Sequence, residues 1–285
     1  MKIYNIPLIL EGGGLRCAFT AGILEFFLDN SIEFSHIYGV SAGASVAASY
    51  LAKQKGRNCR INVDMPSDPR FLGVCNFFRE RSFFGMKYLY DEVPNHIDPF
   101  DFKTFFETKT RFFTVVTSLQ SGLPEYIENS RHDKQFSMKL LAASGSIPLL
   151  SPPVKLDGKF YYDGGVSDSI PVKKALQQHD KAVVVLTRLR GYRKKSQKFK
   201  KYLRFRFRKY PEFVDVMLSR SDHYNSTLDY IDDMERKGKV LVIAPEDAAI
   251  MVERMERRRD KLKAFYDHGY DIINRRINDL DKFSL

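Results

Sequence analysis

Strand-like and helical segments alternate along most of the chain, and no other sequence feature restricts the fold as strongly. Residues 3–10 are rich in Ile and Leu and end at a glycine run, and residues 15–30 carry apolar side chains at helical spacing. A second strand is predicted at 36–40, followed by a small-residue helix at 42–52. This alternation predicts the α/β class, as a three-layer α/β/α domain around a mostly parallel central sheet.

The rest of the chain continues this pattern with one less regular interruption. Further strands are predicted at residues 111–119, 159–162, 181–187 and 239–244, with a helix at 136–143 and a charged helical region at 247–282. Residues 53–101 contain several prolines and predict short helices and loops. They also hold a phenylalanine cluster, for which core packing is the favoured interpretation and the lining of an acyl-binding pocket the alternative: Phe71, Phe77, Phe78, Phe83 and Phe84.

Positive charge is concentrated in one segment. The net charge is +11, and residues 188–209 contain twelve Lys or Arg and no Asp or Glu. Aromatic residues interleave with the charges, and Phe199, Tyr202, Leu203 and Phe207 fall near one helical face. Three interpretations stay open: a packed aromatic face with solvated lysines, an anionic membrane surface, and, least favoured, nucleic acid. The membrane-facing candidates are Arg193, Lys194, Lys195, Lys198, Lys200, Lys201 and Arg204.

Several classes of protein are disfavoured by composition. Three cysteines without framework spacing indicate a reducing compartment, so we expect a cytoplasmic protein with peripheral membrane association as an option. No Cys or His cluster has zinc-ligand spacing, and we expect no metal and no cofactor. No apolar run is long enough to span a membrane, and residues 1–10 predict a first strand in preference to a signal peptide.

The first motif with chemical content is Gly39-Val40-Ser41-Ala42-Gly43. It lies between a predicted strand and a predicted helix, where a tight turn projects the serine outward. Glycines on either side allow close passage of the chain, and the helix N-terminus favours developing negative charge. Ser41 is therefore a candidate nucleophile; the alternative is a serine that only caps a helix.

The second motif is Gly12-Gly13-Gly14-Leu15-Arg16, directly after the first strand. Consecutive glycines expose backbone N–H groups that an anion can approach. A dinucleotide loop and an oxyanion hole both fit this description. The dinucleotide fingerprint needs glycine where Cys17 stands, and the serine motif on the next turn favours the oxyanion hole.

The third motif is Asp163-Gly164-Gly165, which follows a short aromatic strand. A serine nucleophile needs a base, and Asp163 is one candidate. In a Ser-His-Asp enzyme the base would be a histidine late in the chain, and the candidates are His179, His223 and His268. None of them lies in a loop after a strand beside small residues, so the histidine alternative is the weaker one.

Together and in this order, the three motifs resemble those of the patatin-like phospholipases, in particular the bacterial branch, over about residues 6–188. The segments 144–148 and 169–171 are also similar to that family. The resemblance implies a patatin-like fold, Ser41 as nucleophile and Asp163 as base without a histidine, and no calcium requirement. Cys17 departs from the family pattern, which usually has glycine there; this puts the tightness of the helix start in doubt.

The resemblance also implies roles for the glycines. Backbone N–H groups around Gly13 and Gly14 would hold the oxyanion, with Gly12, Leu15 and Arg16 completing that loop. Gly39 and Gly43 would shape the turn around the nucleophile. Gly164 and Gly165 would let the loop after Asp163 reach the serine.

The resulting expectation is a serine acyl-hydrolase that cleaves acyl esters of lipids, of phospholipase A or lysophospholipase type. Residues 1–190 would form the patatin-like catalytic domain. Residues 191–285 would form a basic, largely helical region, with a strand near 239–244, that packs on or extends it. The alternatives are a catalytically inactive lipid-binding domain of the same fold, a Ser-His-Asp esterase, and a nucleotide-binding domain.

Overall fold

One mixed sheet organises the chain in a computed structural model, which describes residues 2–196 and 200–285 apart from the Arg131 side chain. In this described part the sheet has eight strands in the order β5-β6-β3-β2-β1-β7-β8, with β4 paired to the other edge of β3. The strands are β1 (Lys2–Leu10), β2 (Ile32–Val40), β3 (Arg111–Ser118), β4 (Pro124–Glu128), β5 (Val154–Leu156), β6 (Lys159–Asp163), β7 (Ala182–Val185) and β8 (Val240–Ile243).

Ten α-helices are assigned within those ranges. They are α1 (Cys17–Asp29), α2 (Ala42–Leu51), α3 (Arg57–Cys59), α4 (Val74–Glu80), α5 (Phe102–Glu107), α6 (Lys134–Ser144), α7 (Val172–Leu176), α8 (Lys200–Arg206), α9 (Pro211–Arg236) and α10 (Arg259–Ser284). Wider π-helical turns occur at Arg60–Asp64 and Tyr88–Ile97, and 3-10 turns at Gly14–Arg16, Met65–Ser67, Asn129–Arg131 and Gly164–Val166.

The predicted three-layer α/β/α fold is confirmed. Strands β3, β2, β1, β7 and β8 run parallel to one another, whereas β4, β5 and β6 pair in antiparallel fashion. Successive side chains of β1 point to opposite faces of the sheet, and helices cover both faces. Leu8 and Leu10 pack in the cluster formed with α1, α2 and α10, while Ile9 packs in the cluster formed with α7 and α9.

Strand β3 brings the ends of two other strands together. Its residues 113–115 pair both with β2 and with β4, and residues 116 and 117 pair both with β4 and with β6. Strands β2 and β6 therefore share one edge of β3, in opposite directions and end to end. Val40 pairs with Val115 and Asp163 with Val116, so the residue after β2 meets the last residue of β6.

Two strands, β4 and β5, were not predicted from the sequence, and one helix begins later than predicted. Strand β4 begins with proline and is half-buried throughout, as suits an edge strand, and β5 is only three residues long. Residues 247–258 were predicted to be helical, but α10 begins only at Arg259. The backbone before it is held by tertiary contacts, with Arg257 donating to the carbonyl oxygens of Pro66 and Ser67.

The C-terminal part of the chain is built into the same sheet and core. Strand β8 pairs with β7, and α10 packs along α1. The boundary at residue 190 stays a prediction. Among the described residues, no helix is both long and apolar enough to cross a membrane.

The contact between α1 and α10 depends on two glycines and yields a prediction. A β-carbon on Gly269 would overlap the backbone carbonyl of Phe19, and one on Gly22 would overlap that of Tyr266. Gly269→Ala should lower the free energy of unfolding by about 1–3 kcal/mol because backbone must move. In an exposed helix the same change would stabilise by about 1 kcal/mol, so the sign itself is diagnostic.

Urea unfolding measures this effect. Asn274→Ala, at an exposed position of the same helix, is the matched control and should leave the free energy of unfolding unchanged or slightly higher. A stabilised Gly269→Ala protein would contradict the close packing of the two helices.

Candidate active site

Ser41 lies in a strained turn between β2 and α2. Its backbone has φ 55° and ψ −130°, a conformation that is costly for a residue with a side chain. The turn needs glycine at both flanking positions, because any side chain there would clash with nearby backbone. A β-carbon on Gly39 would come within 2.6 Å of the Ala44 Cα, and one on Gly43 within 2.7 Å of the Leu10 carbonyl oxygen. This is the strand–turn–helix geometry that exposes a nucleophile at the end of a sheet.

Ser144, at the end of α6, fixes the turn from the side. Its Oγ accepts a hydrogen bond from the Ser41 backbone N–H at 2.8 Å and donates to the Val115 carbonyl oxygen at 2.6 Å. Ser144 is fully buried, so its hydroxyl links the Ser41 turn to β3 out of contact with water. The residue lies in the segment that resembled the patatin-like family, but its positioning contact was not predicted from the sequence.

The structure brings Ser41 and Asp163 into direct contact. Ser41 Oγ donates to Asp163 Oδ2 at 2.7 Å, and the Gly165 backbone N–H donates to Asp163 Oδ1 at 2.7 Å. Gly164 opens the 3-10 turn that aims this amide. Ser41 is 7% exposed and Asp163 is 6% exposed, so the pair is largely shielded from water.

The surroundings of Asp163 shift its acidity. Burial raises the pKa of the carboxyl above its ordinary value, while the hydrogen bond from Ser41, the charge of Arg220 and the Gly165 amide act in the opposite direction. A carboxylate with a raised pKa is a stronger base than a solvent-exposed aspartate, because it binds a proton more tightly.

The glycine run follows β1 and faces the same space. Glu11, just before it, is buried and accepts from the Thr187 backbone amide, the Thr187 hydroxyl and the Tyr224 hydroxyl. These bonds tie the start of the run to the end of β7 and to α9. The Leu15 amide donates to the Arg254 carbonyl at 3.0 Å, so that N–H group is occupied in this structure.

Two cavities meet at Ser41. One is apolar and extends under the Tyr88–Ile97 turn and α6. The other is polar and is lined by Gly12, Gly13, Arg16 and Asp163. Gly14, Ser41 and Ile147 line both. A molecule with an apolar part and a polar part can therefore place its junction at Ser41.

The phenylalanine cluster divides between the apolar cavity and the surface. Phe71 and Phe84 are buried in the main core, as the favoured interpretation predicted, and they also line the cavity. Phe83 is partly buried against the core, whereas Phe77 and Phe78 on α4 are exposed. The segment is thus part cavity wall and part surface.

Five cationic side chains line the polar cavity. They are Arg16, Arg188, Lys194, Arg220 and Arg254. Burial lowers the pKa of Lys194 to about 6, with the neighbouring Arg220 adding to the shift, and burial lowers the pKa of Arg16 to about 10. Lys194 was predicted to face a membrane, but it is turned inward, with its ammonium nitrogen 3.8 Å from the centre of the Tyr224 ring.

The remaining basic candidates are on the surface where the structure describes them. Arg193, Lys195, Lys200, Lys201 and Arg204 are exposed, and Lys198 and Phe199 lie outside the described residues. Arg193 forms an ion pair with Asp229 at 2.7 Å. On α8 and just after it, Leu203 and Phe207 are buried against α9, while Tyr202 and Phe205 are 54% and 69% exposed.

No histidine lines either cavity in the described part of the chain. His179 packs against His36, His268 against Phe19, and His223 is exposed on α9. The same described residues contain no cluster of three or more His, Cys, Asp or Glu suited to a metal ion.

An α/β/α sheet with a serine on a strand-to-helix turn, a buried carboxylate beside it and a glycine run in front defines a hydrolase fold and site. The chain belongs to the patatin-like phospholipase family, a family of hydrolases, whose model matches residues 8–176. This confirms the resemblance found in the motifs. Residues 210–284 match a second family model, a domain of unknown function named DUF6363.

Individual proteins are similar over part of the chain. The uncharacterized protein YjjU of Escherichia coli (strain K12) is 30% identical over 187 residues, which are 64% of this chain and 51% of YjjU. Probable lipid hydrolase 463L of Invertebrate iridescent virus 6 is 24% identical over 195 residues, 62% of this chain and 66% of that protein. The matches thus span about half to two thirds of these relatives.

One solved structure with a related outline is VipD from Legionella pneumophila. It aligns with a TM-score of 0.48 and 13% sequence identity, covering 97% of this chain and 67% of the VipD chain.

Proposed function

We propose that the protein is a serine acyl-hydrolase that cleaves acyl esters of lipids, with Ser41 as nucleophile and Asp163 as its base. The observation that carries the proposal is the 2.7 Å hydrogen bond between the two buried side chains. Membership of the patatin-like phospholipase family supports a lipid ester as the substrate class. The name of the viral relative, a probable lipid hydrolase, points in the same direction.

In the first step of the proposed reaction, Asp163 Oδ2 accepts the hydroxyl proton as Ser41 Oγ attacks the ester carbonyl carbon. The carbonyl electron pair moves to oxygen and forms a tetrahedral oxyanion. When the oxyanion collapses, the ester C–O bond breaks, and the leaving alcohol takes the proton from Asp163. The acyl group remains on Ser41.

In the second step water attacks the acyl-serine, and Asp163 accepts a proton from that water. Collapse of the second tetrahedral species releases the fatty acid, and the proton returns to Ser41 Oγ. The strained backbone at Ser41 and the Ser144 contacts support this role because they hold Oγ toward the carboxylate. A serine and an aspartate alone then carry both proton transfers.

The oxyanion would rest on backbone amides of the glycine run, in particular those of Gly13 and Gly14. Both residues line the polar cavity beside Ser41. Because the Leu15 amide donates to Arg254, its participation would require that bond to open. Such preorganised donors contribute about 2.7–4 kcal/mol each in other hydrolases. The acyl chain would occupy the apolar cavity, whose walls include Phe71, Phe84 and Leu141.

Two substitutions test the proposed dyad. Ser41→Ala should lower the hydrolysis of a short-chain p-nitrophenyl ester by roughly a thousandfold or more, since the acyl acceptor is lost. Asp163→Asn should lower it by about 10²–10⁴-fold because the amide cannot accept the proton. Initial rates of ester cleavage, with circular dichroism to verify folding, measure both effects.

Histidine substitutions serve as controls for the same experiment. His179→Ala, His223→Ala and His268→Ala should each retain ester hydrolysis, because none of these side chains lines a cavity. Loss of activity in one of them with an active Asp163→Asn protein would favour a Ser-His-Asp esterase. Equal background rates in wild type and Ser41→Ala would indicate an inactive lipid-binding domain.

The pH dependence follows from the raised pKa of Asp163. The base must be ionised, so kcat/KM for a neutral ester should fall as the pH is lowered through the Asp163 pKa, at a pH above the value of about 3.9 usual for aspartate. Arg220→Met should move this fall to still higher pH, because the arginine charge favours the ionised carboxylate.

Arg220→Lys keeps the charge and controls for shape. The midpoint of its pH profile should lie closer to the wild-type midpoint than the midpoint of Arg220→Met does. A wild-type midpoint at the ordinary aspartate value, or the same midpoint in all three proteins, would contradict the assignment of Asp163 as base.

We further propose that the exposed face of α8 docks on an anionic membrane surface. Lys200, Lys201 and Arg204 supply positive charge there, and the exposed Tyr202 and Phe205 supply aromatic rings suited to the lipid interface. Leu203 packs inward and anchors the helix on the domain. This arrangement would deliver the protein to its lipid substrate.

Vesicle binding tests this second proposal. The double variant Lys200→Gln/Lys201→Gln should bind phosphatidylserine vesicles with an affinity at least about tenfold lower than that of the wild type. Added salt should weaken wild-type binding. Lys237→Gln/Lys239→Gln is the matched control, because these exposed lysines lie just before β8, at the opposite end of the sheet from Ser41. Equal affinity of both variants, or binding that does not respond to salt, would contradict it.

A further inference from the structure

Within the ranges that the structure describes, the polar cavity beside Ser41 contains several cationic side chains that are not paired with a carboxylate. Among the described residues, none of the five cations that line it has a carboxylate within ion-pair distance. Only one of them donates a side-chain hydrogen bond within the same part of the chain, from Arg220 Nε to the Gly165 carbonyl at 2.6 Å. Arg16 is 4% exposed, and its Nε has no partner there.

Two of the five side chains, Arg188 and Lys194, are held in place by aromatic rings, and the backbone of Lys194 is also fixed. The Arg188 guanidinium lies 4.4 Å from the centre of the Tyr192 ring, and Lys194 lies over Tyr224. The Asn225 side chain accepts from the Lys194 backbone N–H at 2.8 Å and donates to its carbonyl at 3.0 Å. The donors are therefore positioned before any ligand arrives, which lowers the entropic cost of binding.

The acidic groups in the cavity are already engaged. Glu11 accepts three hydrogen bonds, from the Thr187 amide and hydroxyl and from Tyr224. Asp163 accepts from Ser41 and Gly165. Both carboxylates keep their charge and offset part of the positive charge of the cavity. Their oxygens are occupied by neutral donors, so neither is free to bind a cationic group of a ligand.

We propose that Arg188, Lys194, Arg220 and Arg254, together with Arg16, form a binding site for a phosphate group of an anionic ligand. This inference rests on the proposed function, because it places that phosphate on the leaving-alcohol side of the ester attacked by Ser41. Four of the five cations lie outside residues 8–176, which the phospholipase family model matches. The selectivity is thus a contribution of the C-terminal part of this chain.

A phosphate fits this site better than a neutral or zwitterionic group. Guanidinium groups bind phosphate oxygens in pairs, and several cations around one cavity suit a dianionic phosphate monoester. The ammonium of an ethanolamine or choline headgroup would meet the cations and find no free carboxylate. The acyl chain of the same lipid would lie in the apolar cavity, which joins this one at Ser41.

Lys194 gives the site a measurable signature. Its pKa is lowered to about 6 by burial and by Arg220, with Arg254 and Arg16 acting in the same direction and Glu11 opposing them. At pH 7 it is therefore less fully protonated in the free protein than an exposed lysine would be. A bound phosphate would raise this pKa, so at pH 7 Lys194 should gain a proton on binding, taken from the phosphate monoanion or from the buffer.

The test compares three substrates with the same oleoyl chain: monooleoylglycerol, lysophosphatidylcholine and lysophosphatidic acid. Wild type should have its highest kcat/KM for lysophosphatidic acid. Lys194→Gln and Arg188→Gln should each lower the ratio of lysophosphatidic acid to monooleoylglycerol activity by about tenfold. Arg190→Gln is the matched control, because Arg190 is an exposed neighbour paired with Glu235, and its ratio should not change.

Calorimetric titration of inorganic phosphate and glycerol 3-phosphate into the Ser41→Ala protein distinguishes the source of the phosphate. The number of protons taken up on binding, measured in buffers of different ionisation enthalpy, should be larger in the Ser41→Ala protein than in the Ser41→Ala/Lys194→Gln protein. Phosphate binding that is lost with Lys194 but is not accompanied by a lipid preference would assign the site to a free phosphate ligand. The absence of both phosphate binding and lipid preference would overturn the inference.

The two proposals fail in different ways. Cleavage of monooleoylglycerol without any preference for lysophosphatidic acid, and without phosphate binding, would leave the acyl-hydrolase function intact and remove the phosphate site. Absence of cleavage with every ester would remove the proposed function, while the titration would still decide whether the cavity binds phosphate.

Discussion

Backbone pairing along one edge of β3 is the constraint on which the site depends. Strands β2 and β6 approach each other end to end on that edge, and the register sets Ser41 next to Asp163. The two residues are 122 positions apart in sequence, so no local preference brings them together. The strained turn, the Ser144 bridge and the Gly165 amide then refine a meeting that the sheet has already arranged.

The electrostatics of the site follow from where this meeting occurs. The pair is buried, which makes Asp163 more basic, and a group of cations lies on one side of it. An apolar cavity lies on the other side. The site is therefore asymmetric about Ser41, with one direction suited to hydrocarbon and the other to negative charge. That asymmetry underlies both the proposed lipid substrate and the proposed phosphate selectivity.

Much of the fold was predictable because it depends on local patterns. Buried β1, β2 and β7 and helices α1 and α2 follow from apolar periodicity, and the order of the glycine motifs indicated the family. The cationic cavity was not predictable, since Arg220 lies on a long helix of ordinary charged composition. Lys194 was assigned to the surface because its charged neighbours masked the packing that turns it inward.

The irregular segment before α10 shows the same limit. Its alternating charges favour a helix, yet tertiary bonds hold it in an irregular conformation beside the glycine run. These are the bonds of Arg257 to Pro66 and Ser67 and the bond from the Leu15 amide to the Arg254 carbonyl. The strained backbone of Ser41 has a consequence for the stability of the protein. A positive φ at a residue with a β-carbon stores free energy that glycine there would release. The backbone is strained at this position, and selection for stability alone would not have kept a serine there.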